Sequence, residues 1–190
     1  MRLGLFGGSF DPIHLGHLLV AQSAREELRL GRLFFIPAAQ SPFKPDSAPA
    51  PAPQRLRLLR LALAGQTDCE IDDQEINRGG VSYTIDTVRD YAGRFPGAQL
   101  FYLIGADHVA ELPKWRDADE LARRVEFVVI SRPGEGAAPL PASFRGRALA
   151  GFPLGVSSSQ IRERVRAGLP IDLLAGPAVA EAIRNNRLYL

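Results

Sequence analysis

The chain has 190 residues, 46% of them hydrophobic, which suits one α/β domain with a sizeable core, or such a domain with a small C-terminal subdomain. The formal net charge is +2, from 23 basic and 21 acidic residues. With no Lys/Arg block or aromatic-spaced basic stripe, that balance argues against a nucleic-acid partner.

The chain opens MRLGLFGGSFDP, whose apolar stretch is interrupted by Gly, Ser and Asp and is too short for a signal peptide. Leu3 to Phe6 reads as a first strand ended by Gly7-Gly8, and Leu15 to Leu30 as a helix stopping near Gly31. Leu33 to Ile36 is a second strand ended by Pro37. Arg55 to Ala64 is helical, with Leu56, Leu58, Leu59 and Leu63 forming a broad apolar stripe. Cys69, the single cysteine, excludes an internal disulfide and a cysteine zinc site and is compatible with the cytosol.

Ile71 falls in a third strand, and Asp86 to Phe95 is a short helix before Pro96-Gly97. Leu100 to Ile104 and Phe127 to Ile130 are strands of the buried kind, with a helix from Ala118 to Arg124 between them. Ile161 to Arg166 and Val179 to Asn185 are C-terminal helices. No apolar run approaches the ~20 residues of a membrane span, so the sequence predicts a soluble, cytoplasmic protein with no membrane partner.

Strands alternating with helices predict a doubly wound α/β fold with a parallel sheet, and a small helical portion from about 155 to 190 completing a single domain. Such sheets bind ligands at the C-terminal ends of their strands. Two Pro/Ala-rich loops, 45–53 and 133–143, read either as exposed linkers or as lids over a site. No internal repeat is visible.

The most informative segment is GLFGGSFDPIHLGHL. It is neither GxGxxG nor a Walker A loop, but it uses the same physics. Gly7 and Gly8 are expected to let backbone approach a phosphate and to take positive φ. Free N–H groups at the turn and the helix start favour an anion, and Asp11-Pro12 forces an extended step before the helix. His14 and His17, three apart, share one helix face. Two imidazoles there can donate to phosphate oxygens whose charge grows in a transfer reaction. The plainer alternatives are helix-capping or surface histidines, or a metal held by Asp11, His14 and His17.

GGSFDPIHLGH resembles the signature of the HxGH nucleotidyltransferase superfamily, which has a Rossmann-like fold and binds ATP or CTP at this turn. Later segments resemble the nicotinate mononucleotide adenylyltransferases within it: IPAAQSPFKP, VSYTIDTV, LIGADHVAELPKW, VSSSQIRERV and the ending AVAEAIRNNRLYL, so the resemblance spans essentially the whole chain. It implies transfer of AMP from ATP to nicotinate mononucleotide, giving nicotinate adenine dinucleotide and pyrophosphate, with Mg²⁺ bridging phosphate oxygens and no dedicated protein cage for the metal.

By the same resemblance ATP would meet Gly7, Gly8, Ser9, Phe10, His14, His17, Gly105, Asp107, Ser157, Ser158 and Arg162, with His14 and His17 catalytic. Nicotinate mononucleotide would meet Ser9, Lys44, Tyr83, Thr84 and Trp115. One departure is Phe43, where the family usually has His before the lysine.

These segments also have bland physical readings. Ser157 with Gln160 fits a capping box, Gly168 before Pro170 the matching stop, Asp107 a helix N-cap, Lys44 a solvated lysine, and the lone Trp115 a core residue. A related transferase with nicotinamide mononucleotide or phosphopantetheine as acceptor, or a nucleotide-binding module without catalysis, remains the rival function. A homo-oligomer is compatible with the sequence, which sets no oligomeric state.

Overall fold

The computed structural model describes residues 1–42, 49–131, 139–152 and 154–190. Six parallel strands form its frame: β1 (Arg2–Gly8), β2 (Arg32–Pro37), β3 (Cys69–Ile71), β4 (Gln99–Gly105), β5 (Val125–Ile130) and β6 (Gly146–Ala148), in the order β3-β2-β1-β4-β5-β6. That order reverses direction between β1 and β4, which creates a switch point where the connections diverge and leave a crevice.

The alternation of side chains along the strands sorts the core into two layers. Leu3, Leu5, Phe34, Ile36, Tyr102, Ile104, Phe127 and Val129 face one side; Phe6, Leu33, Phe35, Phe101, Leu103 and Val128 face the other. The first layer is covered by α4 (Thr84–Arg94), the 3-10 segment Ala106–Lys114 and α5 (Ala118–Arg124). The second is covered by α1 (Leu15–Leu28), α2 (Ala52–Ala62), α6 (Ser158–Arg166), α7 (Asp172–Ala175) and α8 (Pro177–Asn185). The α/β, doubly wound expectation is met, and the C-terminal helices pack into the same apolar layer as α1 and α2 rather than forming a core of their own. Among the described residues no helix is long and apolar enough to cross a membrane.

Several boundaries differ from expectation for identifiable reasons. Helix α1 stops at Leu28, three residues before Gly31, because Arg29 takes the left-handed conformation (φ 51°) and Leu30 N–H donates back to Arg25 O. A short α3 (Gln74–Arg78), α7, strand β6 and the 3-10 segment carry too little periodicity to be read from sequence. Arg55, which opens the expected second helix, is 1% exposed. Residues 45–48 and 133–138 of the two Pro/Ala-rich loops lie outside the described residues.

Candidate active site

Glycine at the end of β1 is required by packing rather than by dihedral angle. Gly7 and Gly8 do not have positive φ; the left-handed residue of the turn is Phe10 (φ 45°), which corrects the expectation for both glycines. A Cβ on Gly7 would collide with the Tyr102 hydroxyl, and one on Gly8 would press the Phe10 ring at 3.2 Å. The Phe10 side chain lies beneath the turn, 1% exposed, against Phe6, Phe35 and His17, so it supports the site without lining it.

His14 caps α1 from an extended conformation (φ −151°), and its backbone N–H donates to His17 Nδ1 at 3.2 Å. That bond assigns the His17 proton to Nε2. The two rings lie 3.7 Å apart between centroids, 32° from parallel. Gly16 makes this possible, since a Cβ there would sit 3.0 Å from the His14 ring. Burial lowers the His14 pKa to about 4, and burial followed by the neighbouring His14 holds His17 well below 6.5. Both are therefore neutral near pH 7. His14 Nδ1, a buried atom, has no hydrogen-bond partner among the described residues.

Helix α6 arrives at this turn from the far end of the chain. Ser157 and Gln160 form the expected capping box, with Ser157 N–H donating to Gln160 Oε1 (2.9 Å) and Gln160 N–H to Ser157 Oγ (3.2 Å). Gly168, at φ 67°, gives the expected stop. Ser158 Oγ donates to Pro12 O (2.8 Å), and Arg162 Nη1 donates to Asp11 O (2.7 Å), which tie the helix start to the β1–α1 turn. Capping and anion binding are compatible here, because the cap uses Ser157 and Gln160 and leaves Arg162 on the cavity wall. The Asp11 carboxylate is turned to Ala50 N–H and the Tyr189 hydroxyl, so Asp11, His14 and His17 do not converge as metal ligands.

Beyond β4, Asp107 is exposed and bends its carboxylate back over Gly105. The residue capping the 3-10 segment is Gly105, so Asp107 is not the N-cap. Trp115 is half-buried, set edge-on to Tyr102 and Phe127 at 6.2 Å, so it is both a core-packing residue and a cavity wall. Thr84 Oγ donates to the Tyr102 hydroxyl (3.2 Å) at the start of α4, and Arg116 lies over the Tyr83 ring at 4.8 Å. Burial pushes the Tyr102 phenol up, so it stays protonated.

These groups surround one cavity of about 720 Å³ above the β1/β4 switch point. Gly7, Gly8, Ser9, His14, His17, Tyr83, Thr84, Gly105, Asp107, Trp115, Ser157, Ser158 and Arg162 line it. Phe10 does not, and Lys44 falls outside the described residues along with Phe43.

The sequence reading missed Tyr102, Glu75 and Arg55. Tyr102 sits in an uninterrupted apolar strand, which carries no signal. Glu75 is 5% exposed on the cavity wall, accepts from Thr87 Oγ1 at 2.6 Å, and is raised in pKa by burial, against the hydrogen bonds from Thr87 and Ser82. Arg55 donates to Ser9 O (2.8 Å) and Ala50 O (3.0 Å) behind the turn. The local sequence carries no signal for this, since Arg57 and Arg60 stand among the same leucines and are exposed.

The strand order and the cleft at its switch point define a doubly wound α/β protein built to bind a ligand at the ends of β1 and β4. The family described as cytidylyltransferase-like matches residues 5–164. The chain is 39% identical over 192 residues to a protein of Opitutus terrae named "Probable nicotinate-nucleotide adenylyltransferase", covering 100% of this chain and 98% of that one. A Gemmatimonas aurantiaca protein of the same name is 44% identical over 196 residues, covering 100% and 92%.

Among solved structures, Plasmodium falciparum nicotinic acid mononucleotide adenylyltransferase complexed with NaAD has the same fold, with a TM-score of 0.81 at 17% identity over 99% of this chain and 97% of that one. The same enzyme complexed with APC gives 0.79 at 16% identity, covering 99% and 96%. The chain belongs to the nicotinate-nucleotide adenylyltransferases, within the cytidylyltransferase-like family.

Proposed function

We propose that this protein transfers AMP from ATP to nicotinate mononucleotide, forming nicotinate adenine dinucleotide and pyrophosphate. The observation that carries the reading is the convergence on one cavity of two chemically different groupings. His14, His17, Ser158 and Arg162 gather around the β1–α1 turn, while Tyr83, Thr84, Tyr102 and Trp115 gather beyond β4. The first suits phosphates. The second suits a flat ring bearing a carboxylate, with Trp115 offering a face to the positive pyridinium and the start of α4 favouring the anion.

The mononucleotide phosphate oxygen attacks the α-phosphorus in line, the bond to the bridging oxygen breaks, and pyrophosphate leaves with the electron pair. The nucleophile is already anionic, so neither a covalent enzyme intermediate nor a general base is needed. Catalysis rests on positioning and on stabilising charge as it spreads over phosphate oxygens. His17 Nε2–H is a donor fixed by the His14 N–H bond behind it, His14 offers a second neutral imidazole, and Arg162 supplies the positive fork. Ser9, Gly105, Asp107 and Ser157 complete the ATP side of the cavity wall, and Lys44 is assigned to the mononucleotide phosphate by the family resemblance.

Mg²⁺ enters with ATP as part of the substrate. A metal held this way would take its ligands mainly from phosphates and water and would need no protein cage. The apolar layer shared by α1, α2 and α6–α8 supports reading 1–190 as one domain.

A pyrophosphate-release assay with ATP and each of three acceptors tests the assignment. Nicotinate mononucleotide should give release, with nicotinamide mononucleotide and phosphopantetheine far slower. Release with none of them would overturn it in favour of a nucleotide-binding module.

A further inference from the structure

The last residues of the chain return to the candidate active site. After α8, Arg187 (φ 50°) and Tyr189 (φ 66°) both take the left-handed conformation, which non-glycine residues hold only when their surroundings impose it. The bend delivers the Tyr189 hydroxyl to Asp11 Oδ1 at 2.8 Å, 178 residues away in sequence. The same oxygen accepts Ala50 N–H at 3.0 Å. The other carboxylate oxygen, Oδ2, stands 3.9 Å from Arg162 Nη1, while that nitrogen donates to the Asp11 carbonyl instead, at 2.7 Å. Arg162 therefore sits beside a carboxylate without a close carboxylate hydrogen bond. The guanidinium commits one N–H to Asp11 O and one to Ser159 Oγ (3.2 Å), and it lines the cavity.

A carboxylate within reach of an arginine ordinarily closes on it in a bidentate pair, which would neutralise the fork and fill the donors that an anion needs. Two donors hold Asp11 Oδ1 in place, and one of them is Tyr189. We infer that Tyr189 is a positioning residue: its hydroxyl restrains the Asp11 carboxylate from capturing Arg162, keeping that guanidinium available for the triphosphate. The inference rests on the adenylyltransferase reading given above.

The test compares wild type, Tyr189→Phe and the double variant Asp11→Asn/Tyr189→Phe in steady-state assays with Mg²⁺-ATP and nicotinate mononucleotide. Tyr189→Phe keeps the ring and its packing and removes one hydroxyl. It should raise KM for ATP about tenfold or more, the scale of a charge-assisted hydrogen bond, while KM for the mononucleotide stays within about twofold. The double variant still lacks the phenol hydroxyl but has no carboxylate to close on Arg162, so it should recover most of the ATP affinity. A merely structural role for the hydroxyl predicts no such recovery.

An unchanged KM for ATP in Tyr189→Phe, or a double variant no better than the single one, overturns the proposal. A wild-type protein that turns over none of the acceptors removes the functional reading itself, an outcome distinct from failure of either variant.

Discussion

The backbone N–H of His14 donates to Nδ1 of His17 at 3.2 Å, so the bond that begins helix α1 also fixes the tautomer of its second histidine. A ring held by its Nδ1 can only offer Nε2–H to a ligand. Because the low pKa values keep both rings uncharged near pH 7, the pair meets an incoming nucleotide as two neutral imidazoles rather than as a charged cluster. Selectivity for developing charge then comes from oriented N–H dipoles, and net attraction falls to Arg162 and the metal brought by the substrate.

Replacing His17 by alanine removes the donor and also leaves His14 N–H without its acceptor. Turnover should fall by at least about a hundredfold, the scale for losing one donor to transition-state charge, with the far-ultraviolet circular dichroism unchanged. His14→Ala should cost a similar factor, with a larger share in KM for ATP. A folded His17→Ala protein with near-normal kcat would remove His17 from the mechanism.

The two histidines also set a pH dependence of stability. In the unfolded chain both imidazoles titrate near the ordinary 6.5, whereas burial holds native His14 at about 4 and native His17 well below 6.5. Between those values the unfolded chain binds protons that the native protein does not. Stability is therefore full above about pH 6.5 and falls as pH drops toward 4, by up to about 1.4 kcal/mol per pH unit for each histidine. Urea denaturation at pH 7.5 and 5.5 checks this. His14→Gln should show a shallower decline than wild type, the carboxylate contributions being common to both, and equal declines would refute the assignment.

How far the sequence carried depended on what each residue expresses locally. The four longer strands and the main helices follow from apolar runs and their periods, and the β1–α1 turn from GGSFDPIHLGH, because those patterns are contiguous. Ser157 and Gln160 announced their capping box three residues apart. What was hidden depends on chain neighbours far apart in sequence. The need for glycine at position 7 comes from Tyr102, the burial of Arg55 in part from the carbonyl of Ser9, and the setting of Asp11 from Tyr189. A reading along the chain assigned Gly7 to phosphate approach and a dihedral need, because close approach by a side chain 95 positions later leaves no local trace.

That close approach is itself testable. Gly7→Ala places a methyl against the Tyr102 hydroxyl in a packed site, which should destabilise the protein by about 1–3 kcal/mol, read from the denaturation midpoint. Adding Tyr102→Phe removes the colliding oxygen, and the remaining ring carbon would stand 3.3 Å from the new Cβ. The double variant should regain a measurable part of the loss, although it also leaves Thr84 Oγ without its partner. Strict additivity of the two substitutions would show that the Gly7–Tyr102 contact is not what requires glycine.

Trp115 allows the mononucleotide to be followed directly. It is the only tryptophan, it lines the cavity, and its indole is held edge-on by Tyr102 and Phe127. Stacking of a pyridinium ring on it should change the intrinsic fluorescence on titration with nicotinate mononucleotide, with no second tryptophan to obscure the signal. Trp115→Ala should weaken the mononucleotide by roughly 1–3 kcal/mol, the scale of base–aromatic stacking, and should leave KM for ATP nearly unchanged. Because the ring also packs on Tyr102 and Phe127, this variant will lose some stability as well, whereas Trp115→Phe should keep most of both. Preference for the acid over the amide should survive in Trp115→Phe, since stacking does not read the carboxylate. That preference should depend instead on the donors around Thr84 and Tyr102, where an amide would set its own N–H groups against them and leave buried donors unsatisfied. Unchanged mononucleotide affinity in Trp115→Ala would make the indole purely a packing residue, and equal use of the amide by wild type would mean that these donors do not select the acid.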